Sequence, residues 1–191
     1  MKYNPQIHDR NSTRLRGYDY SSAGFYFVTI CTYKRHCLFG EIVNEEMVLN
    51  EYGKIVAEEW IESSEIRQEI ELDEWIVMPN HFHTIIAITH QPPGCLPDTS
   101  NNSPQTNDNS QRIIPPMKPR SLSSAIAGFK CATTSRINTI RNAPGTPVWQ
   151  RNYYEHIIRN QFSLEKIRQY IQNNPQSWNK DQLHPNIQSK S

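Results

Sequence analysis

Pro79-Asn80-His81-Phe82-His83-Thr84-Ile85-Ile86-Ala87-Ile88 is the stretch that decides the fold. It continues from the histidines into an apolar, largely β-branched run, which is typical of a buried β-strand. Because side chains alternate between the two faces of a strand, His81 and His83 point to one face and Phe82 points to the other. Two imidazoles on one face of a rigid strand can bind one divalent metal ion, which needs further ligands from elsewhere in the chain.

The 191-residue chain is long enough for one domain with a full hydrophobic core. Its net charge of +1 does not by itself point to any class of partner, but the charges are unevenly distributed. Residues 41–75 contain twelve acidic and two basic residues, whereas residues 112–191 contain twelve basic and three acidic ones. This asymmetry predicts an acidic solvated flank and a surface that can meet phosphates, although surface charge clustering without a function explains it equally well.

The four cysteines form no Cys-x-x-Cys pair, which excludes a zinc finger of that type and a thioredoxin-type motif. No apolar run is long enough to span a bilayer, and the polar N-terminus lacks the apolar core of a signal peptide. We therefore expect a cytoplasmic protein with reduced thiols and no membrane partner.

Hydrophobic periodicity along the chain predicts alternating strands and helices. Strands are expected over residues 25–33, in a hairpin at 40–49, over 70–78, from His81 onward and over 148–158. Helices are expected over residues 51–66, from an N-cap at Ser121 to about residue 140, and from an N-cap at Ser163 to just before Pro175. This order favours an α+β fold, in which helices pack on an antiparallel β-sheet.

We expect a single domain over residues 1–178, with a mobile loop at 90–119 and a flexible tail at 179–191. The loop contains seven of the thirteen prolines and few apolar residues. Such a segment cannot bury enough surface to offset the entropy lost on ordering, so it is predicted to interrupt the chain without dividing the domain.

Tyr170 and Asn174 lie one turn apart in the last predicted helix, beside the apolar stripe that should dock on the sheet. The carboxamide oxygen of asparagine is a hard ligand, suited to Mg²⁺ or Mn²⁺ beside two imidazoles. A nearby cation also favours the phenolate of tyrosine, which is then a nucleophile. Spacing alone is weak support, because most Tyr-x-x-x-Asn pairs on helices are ordinary surface residues.

The sequence resembles the single-tyrosine HUH transposases and, within them, the REP-associated tyrosine transposases. The matching blocks are, in chain order, Gly17-Tyr18-Asp19-Tyr20 with Tyr26-Phe27-Val28-Thr29-Ile30-Cys31, Trp75-Ile76-Val77-Met78-Pro79-Asn80-His81-Phe82-His83, Trp149-Gln150-Arg151-Asn152-Tyr153-Tyr154-Glu155-His156-Ile157-Ile158-Arg159-Asn160 and Tyr170-Ile171-Gln172-Asn173-Asn174-Pro175. They cover the chain from about residue 10 to residue 178, apart from the loop at 90–119.

The resemblance implies a ferredoxin-like core and a metal-dependent endonuclease or transposase that cleaves and rejoins single-stranded DNA at hairpin or repeat sequences. It implies that His81, His83 and Asn174 bind Mg²⁺ or Mn²⁺. It also implies that Tyr170 attacks the scissile phosphate and forms a 5′-phosphotyrosine intermediate. Relatives act as a monomer or as a homodimer that exchanges the tyrosine helix, and the sequence does not choose between the two.

Basic residues that could contact DNA phosphates are Arg14, Arg16, Lys130, Arg136 and Arg159, although ordinary solvated charge explains each of them equally well. Tyr153 and Tyr154 are the rival candidates for the nucleophile. The alternative function is a protein that binds DNA hairpins without cutting them. Binding alone needs neither the two histidines nor the tyrosine and asparagine of the last helix, so cleavage is the favoured interpretation.

Overall fold

The computed structural model describes residues 15, 17–89 and 118–187. Its strands are β1 (Gly24–Cys31), β2 (Gly40–Val43), β3 (Glu46–Leu49), β4 (Ile70–Met78), β5 (His81–Ile88) and β6 (Tyr154–Ile158). Its helices are α1 (Glu51–Ile66), α2 (Leu122–Ile140), α3 (Gln161–Gln172) and α4 (Asn174–Ser177), with 3₁₀ turns at Tyr33–Arg35 and Trp178–Lys180. The arm residues Arg14 and Arg16 lie outside the described residues, as does the predicted loop except for residues 118 and 119.

Four strands form one antiparallel sheet in the order β4-β5-β1-β6, and β2 and β3 form a separate hairpin. Together with α1 and α2, the sheet follows the β-α-β-β-α-β arrangement of ferredoxin-like folds. The predicted α+β class and antiparallel sheet are thus confirmed. The register pairs Thr29 of β1 with His83 on one side and with Tyr154 of the edge strand β6 on the other.

The two faces of this sheet are covered by different helices. On the face of Phe82, α1 and α2 enclose the larger core, in which Trp60 and Phe129 contact the Phe82 ring at centroid distances of 5.1 and 5.3 Å. On the face of His81 and His83, α3 packs through a smaller buried cluster, which consists of Phe27, Ile85, Ile158, Leu164 and Ile171. The alternation along β5 therefore places the two histidines on the side of the sheet that α3 covers.

The N-caps of α2 and α3 show where the sequence prediction was right and where it was wrong. Ser121 caps α2 as predicted, and Ser124 completes a capping box with it. Asn160 rather than Ser163 caps α3, because its Oδ1 accepts a hydrogen bond from the Ser163 backbone N–H at 2.8 Å. Asparagine and serine are equally good N-caps, so the sequence offered two suitable starts three residues apart.

Strand β6 is shorter than the predicted strand over residues 148–158. Trp149 forms only an isolated bridge with Thr32, and regular pairing begins at Tyr154. Between them, the Lys130 ammonium group donates to the carbonyl oxygens of Gln150 and Arg151. These two carbonyls are therefore engaged by a side chain from α2.

The segment after α3 folds back toward β5, which differs from the predicted tail over residues 179–187. Pro175 lies in the first turn of α4, where its missing N–H is no loss. Trp178 is buried and its ring lies 5.9 Å from that of His81 and 4.7 Å from that of His184. The Leu183 carbonyl accepts a hydrogen bond from the Asn80 side chain at 2.7 Å, so this segment is joined to the histidine strand.

Across the described ranges, no helix combines the length and the apolar character needed to cross a membrane.

Candidate metal centre and nucleophile

The four site residues predicted from the sequence converge where β5 meets the C-terminal end of α3. The rings of His81 and His83 lie 4.4 Å apart, and the Tyr170 hydroxyl lies 3.3 Å from His83 Nε2. Asn174 is buried and close enough to both His81 and Tyr170 to shift the pKa of each. One chain therefore brings together groups that are up to 93 residues apart in sequence (Asn174 and His81).

Asn80 determines how His81 is presented. Its Nδ2 donates to the carbonyl oxygens of Arg35 at 3.2 Å and Leu183 at 2.7 Å, which leaves Oδ1 facing His81 Nδ1 at 2.8 Å. Since an amide oxygen can only accept, Nδ1 carries the proton and Nε2 keeps its lone pair. Nε2 is buried and has no hydrogen-bond partner among the described residues. Metal-ligating histidines are held in this way, by an outer hydrogen bond to the second ring nitrogen.

His83 is held by the neighbouring strand β1. The Thr29 hydroxyl forms a 2.8 Å hydrogen bond with Nδ1, and the Phe27 ring stacks on the imidazole at a centroid distance of 5.4 Å. Nε2 is thus the nitrogen that points toward Tyr170. Both contacts come from residues fixed in the sheet, so the imidazole has little freedom to turn.

Both histidines are neutral at neutral pH. Burial lowers the pKa of His81 to about 4, against opposing effects of the Asp181 carboxylate and the Asn174 amide. Burial, together with the proximity of His81, lowers the pKa of His83 well below its usual value. Only the neutral imidazole has a free lone pair for a metal ion, so the low pKa values suit both residues to ligation.

Asn174 and Asp181 bring further oxygen atoms to the same place. Asn174 Nδ2 donates to Asp181 Oδ2 at 3.1 Å, and Asn174 Oδ1 is buried without a hydrogen-bond partner among the described residues. Asp181 Oδ2 also lies 3.9 Å from His81 Nε2. Two buried acceptors without a donor, His81 Nε2 and Asn174 Oδ1, therefore lie beside a carboxylate, and this arrangement fits a cation.

A metal ion could be held by His81, His83 and Asp181, whose ligand atoms all lie within 4.8 Å of one another. Imidazole nitrogens combined with carboxylate and amide oxygens suit a divalent ion such as Mg²⁺ or Mn²⁺, among others. The described structure thus supports the predicted metal-binding character of the site, and the donor set fits the group that the sequence resemblance implies.

Tyr170 stands at the edge of this centre with 47 % of its surface exposed. Burial of the hydroxyl raises the pKa of Tyr170, the Asp181 carboxylate raises it further, and the Asn174 side chain opposes the change. Without a cation the phenol is therefore protonated at neutral pH. A nearby divalent ion acts in the opposite direction and favours the phenolate.

A fork of hydrogen bonds holds the tyrosine helix against β4. Arg168 donates from Nε and Nη2 to the two carboxylate oxygens of Asp73, at 2.8 and 2.5 Å. Gln172 donates to Glu74 at 2.9 Å. Consecutive strand residues reach the same helix because β4 is irregular at this point, where its register with β5 shifts. These contacts lie on either side of Tyr170 in the sequence and hold its side chain in position over β5.

Of the basic residues predicted to contact DNA, the structure describes Lys130, Arg136 and Arg159. Lys130 is partly buried, which lowers its pKa to about 8, and it donates to the carbonyls of Gln150 and Arg151. Arg136 forms ion pairs with two glutamates of α1. Arg159 is exposed and follows the last residue of β6, at the opposite end of that strand from the row containing His83. Their role in DNA binding stays a prediction.

Sequence reasoning missed Asp181, Asn80 and Thr29. Asn80 carries a local signal, since it directly precedes the histidine pair at the break between two strands. Thr29 could be found only by pairing β1 with β5 in the correct register. Asp181 carries no local signal, because it lies in a polar segment that composition assigns to a loose tail.

Comparison with known proteins supports one family and one fold. No protein-family model matches the chain. A Haemophilus influenzae protein described only as an uncharacterized protein is 43 % identical over 187 residues, which span 96 % of this chain and 97 % of that protein. The solved structure of a REP-associated tyrosine transposase bound to a REP hairpin aligns over 86 % of this chain and 73 % of its own, with a TM-score of 0.54 and 21 % identity. For the fold, this confirms the resemblance predicted from the sequence blocks.

Proposed function

Because the chain belongs to one family with the Haemophilus influenzae protein and has the fold of a REP-associated tyrosine transposase, we propose that it is a single-strand DNA endonuclease or transposase. In this proposal it cleaves and rejoins DNA at hairpin or repeat sequences, with Mg²⁺ or Mn²⁺ as cofactor. The observation that carries the proposal is the half-exposed Tyr170 hydroxyl, 3.3 Å from His83, beside buried acceptors that lack a donor.

His81, His83 and Asn174 would hold the ion at this place. When bound, the ion supplies Lewis-acid polarisation of a phosphate oxygen and favours the phenolate. The Tyr170 oxygen attacks the phosphorus and forms a phosphotyrosine bond to the 5′ side of the break. The bond to the 3′-oxygen breaks, the phenol loses its proton, and the departing oxygen gains one as the 3′-hydroxyl. Because the phosphotyrosine ester conserves the phosphodiester, the reverse attack by a 3′-hydroxyl rejoins the strand.

The surroundings of Tyr170 suit a nucleophile that must reach a large substrate. Its ring packs edge-on against Phe27 at a centroid distance of 6.1 Å, while the Arg168–Asp73 fork holds the preceding turn of α3. The Phe27 ring and the fork therefore position the hydroxyl, and the exposed side of Tyr170 is accessible to a DNA strand. Positioning of this kind lowers the entropy cost of reaching the transition state.

Hairpin DNA is the proposed partner, since the solved transposase with this fold is bound to a REP hairpin. Arg159, with its exposed guanidinium, is the better placed of the described basic candidates, because Lys130 and Arg136 are already engaged within the protein. Arg14 and Arg16 lie outside the described residues and stay proposed phosphate contacts.

The decisive experiment is incubation with labelled single-stranded hairpin DNA from the flanks of its own gene, with Mn²⁺ or Mg²⁺, followed by denaturing electrophoresis. The wild-type protein is expected to give a covalent adduct that disappears with EDTA and in Tyr170→Phe. Tyr154→Phe is the matched control, because Tyr154 is 50 % exposed, contacts the same Phe27 ring at 6.2 Å and should be dispensable.

An adduct formed by Tyr170→Phe and lost in Tyr154→Phe would show that the nucleophile is assigned to the wrong tyrosine. Hairpin binding in a gel-shift assay without an adduct under any divalent metal would instead favour the alternative function, recognition without cleavage.

A further inference from the structure

Asp181 is a nearly buried carboxylate in the segment that follows the 3₁₀ turn after α4. Its side chain is only 6 % exposed, and Oδ1 accepts a hydrogen bond from the Leu183 N–H at 2.7 Å. Oδ2 accepts from Asn174 Nδ2 at 3.1 Å. Within the described residues its one ion-pair contact is the 3.9 Å approach to His81 Nε2, which is the ring nitrogen without a proton because Nδ1 donates to Asn80 Oδ1. A buried carboxylate without a cation is costly, which indicates that a cation belongs there.

We propose that Asp181 is a fourth protein ligand of the metal centre and the anionic one among the four. The proposal rests on the proposed function for the identity of the metal, and it adds a residue outside the ligand set that the sequence indicated. His81, His83 and Asn174 are all neutral donors, so these three ligands alone would offset none of the charge of a divalent ion. The affinity of hard-cation sites depends on the number of charged ligands.

The distances suit this assignment. Bonds of about 2.1 Å to one octahedral ion place adjacent ligand atoms about 3 Å apart and opposite ones about 4.2 Å apart. The 3.9 Å between His81 Nε2 and Asp181 Oδ2 falls within that interval. The largest separation among the ligand atoms of His81, His83 and Asp181 is within 4.8 Å, so a shift below an ångström would bring all three onto one ion.

Asp181 also orients a second ligand. Because Asn174 Nδ2 donates to the Asp181 carboxylate, Asn174 Oδ1 is turned away from it and left free to bind the ion. The carboxylate would thus act on the metal directly and through Asn174. Since Leu183 contacts both Asp181 and Asn80, metal binding should also fasten residues 181–187 to the histidine strand.

The test measures Mn²⁺ binding to the full chain without DNA. Electron paramagnetic resonance reports the free Mn²⁺, and calorimetry gives the dissociation constant independently. Asp181→Asn is expected to weaken binding at least tenfold. The variant retains an oxygen for the Leu183 N–H, so a purely structural role would leave the affinity unchanged. Glu59→Gln is the matched control, because it removes one carboxylate with a 12 % exposed side chain, paired with Arg136 on the side of the sheet that α1 and α2 cover, and it should bind Mn²⁺ like the wild type.

A measurement on the wild-type protein keeps the proposal falsifiable if Asp181→Asn does not fold. Hydrogen exchange of residues 181–187 should slow when Mn²⁺ is added, and an unchanged exchange rate would overturn the assignment. The two proposals fail separately. Tight Mn²⁺ binding by Asp181→Asn with a wild-type DNA adduct refutes only the fourth ligand, whereas weakened binding without any wild-type adduct refutes only the proposed function.

Discussion

On one face of the sheet, α1 and α2 close over Phe82 with Trp60 and Phe129 in contact, and the buried cluster is large and rich in aromatic residues. On the other face, α3 rests on a few aliphatic contacts, such as those of Leu164 and Ile171, and on hydrogen-bonded ion pairs. Both faces belong to the same strands, and alternate residues of β5 serve one or the other.

The difference separates stability from chemistry within one sheet. Apolar burial is the main source of folding free energy, and most of it lies on the face of Phe82. The face of His81 contains buried acceptors without donors, which lower stability until a cation is bound. The rigid aromatic core thus supports the strand on which the costly polar groups stand, as is expected of a functional site.

The largest expected effect is truncation in the aromatic core. Phe129→Ala should lower the free energy of unfolding by about 4 kcal/mol, because it leaves a cavity between Trp60, Phe82 and Trp149. Leu164→Ala, in the smaller cluster under α3, should cost about 2 kcal/mol. Urea denaturation of both variants measures the two values. Equal costs would contradict the division of stability between the faces.

Metal binding should partly restore the folding stability that the buried acceptors on the face of His81 and His83 cost. With Mn²⁺ at one hundred times its dissociation constant, the free energy of unfolding should rise by about 2.7 kcal/mol. EDTA should remove this gain, and His81→Ala or His83→Ala should abolish it, because their Nε2 atoms are the expected ligands. Urea denaturation with and without Mn²⁺ checks the prediction, and a gain of the same size in His81→Ala would place the ion elsewhere.

The Arg168–Asp73 fork should give a smaller effect on stability and a distinct one on activity. A double-mutant cycle with Arg168→Gln and Asp73→Asn should give a coupling of about 1 kcal/mol, since both side chains are partly exposed and solvent screens them. If the fork sets the position of Tyr170, either variant should slow adduct formation and leave hairpin affinity unchanged.

The same fork has a predictable pH dependence. The hydrogen bonds from Arg168 hold the pKa of Asp73 below its usual value, against the opposing effect of burial. A lowered folded-state pKa stabilises the protein above the ordinary aspartate pKa of about 3.9, and this contribution is lost as the pH falls below it. Acid denaturation of wild type and Asp73→Asn should therefore converge at low pH, and a constant difference would argue against the ion pair.

The smallest expected effect is on the outer surface of α3. Phe162 is 69 % exposed and its ring lies beneath the Lys166 ammonium group at 4.3 Å. Phe162→Ala should change the free energy of unfolding by less than about 0.5 kcal/mol, because most of the Phe162 side chain is already exposed to solvent in the folded protein. Thermal denaturation suffices to check it. A loss comparable to that of Leu164→Ala would mean that this side of α3 is covered by something else.

The parts of the fold that could be predicted from the sequence are those determined by local periodicity. The bounds of α1 and β4, the N-cap at Ser121 and the shared face of His81 and His83 all follow from patterns within a few residues. The start of β6 could not be predicted this way, because the Lys130 side chain, a distant donor, engages two of the carbonyls before it.

The same limit applies to the site. Tyr170 and Asn174 were recognisable because a predicted helix and a family pattern place them together. The single helix was wrong, since α3 ends at Gln172 and Asn174 begins α4. Asp181 depends instead on the segment after α4 folding back toward β5. Burial of Trp178 directs that reversal, and a lone tryptophan in a polar segment gives no sequence signal for where it will pack. Long-range contacts of this kind determine which side chains reach the candidate metal centre, but they give no signal in the local composition.

Asn80 joins Arg35 to Leu183, which lies 103 residues beyond Asn80 itself. Chains are synthesised from the N-terminus and can begin to fold while they are being made. When the ribosome has passed Ile158, every strand of the sheet has been synthesised. Tyr170, Asn174 and the residues around Asp181 have not. The protein can thus form its larger core first, whereas the candidate metal centre is complete only when synthesis has passed residue 183.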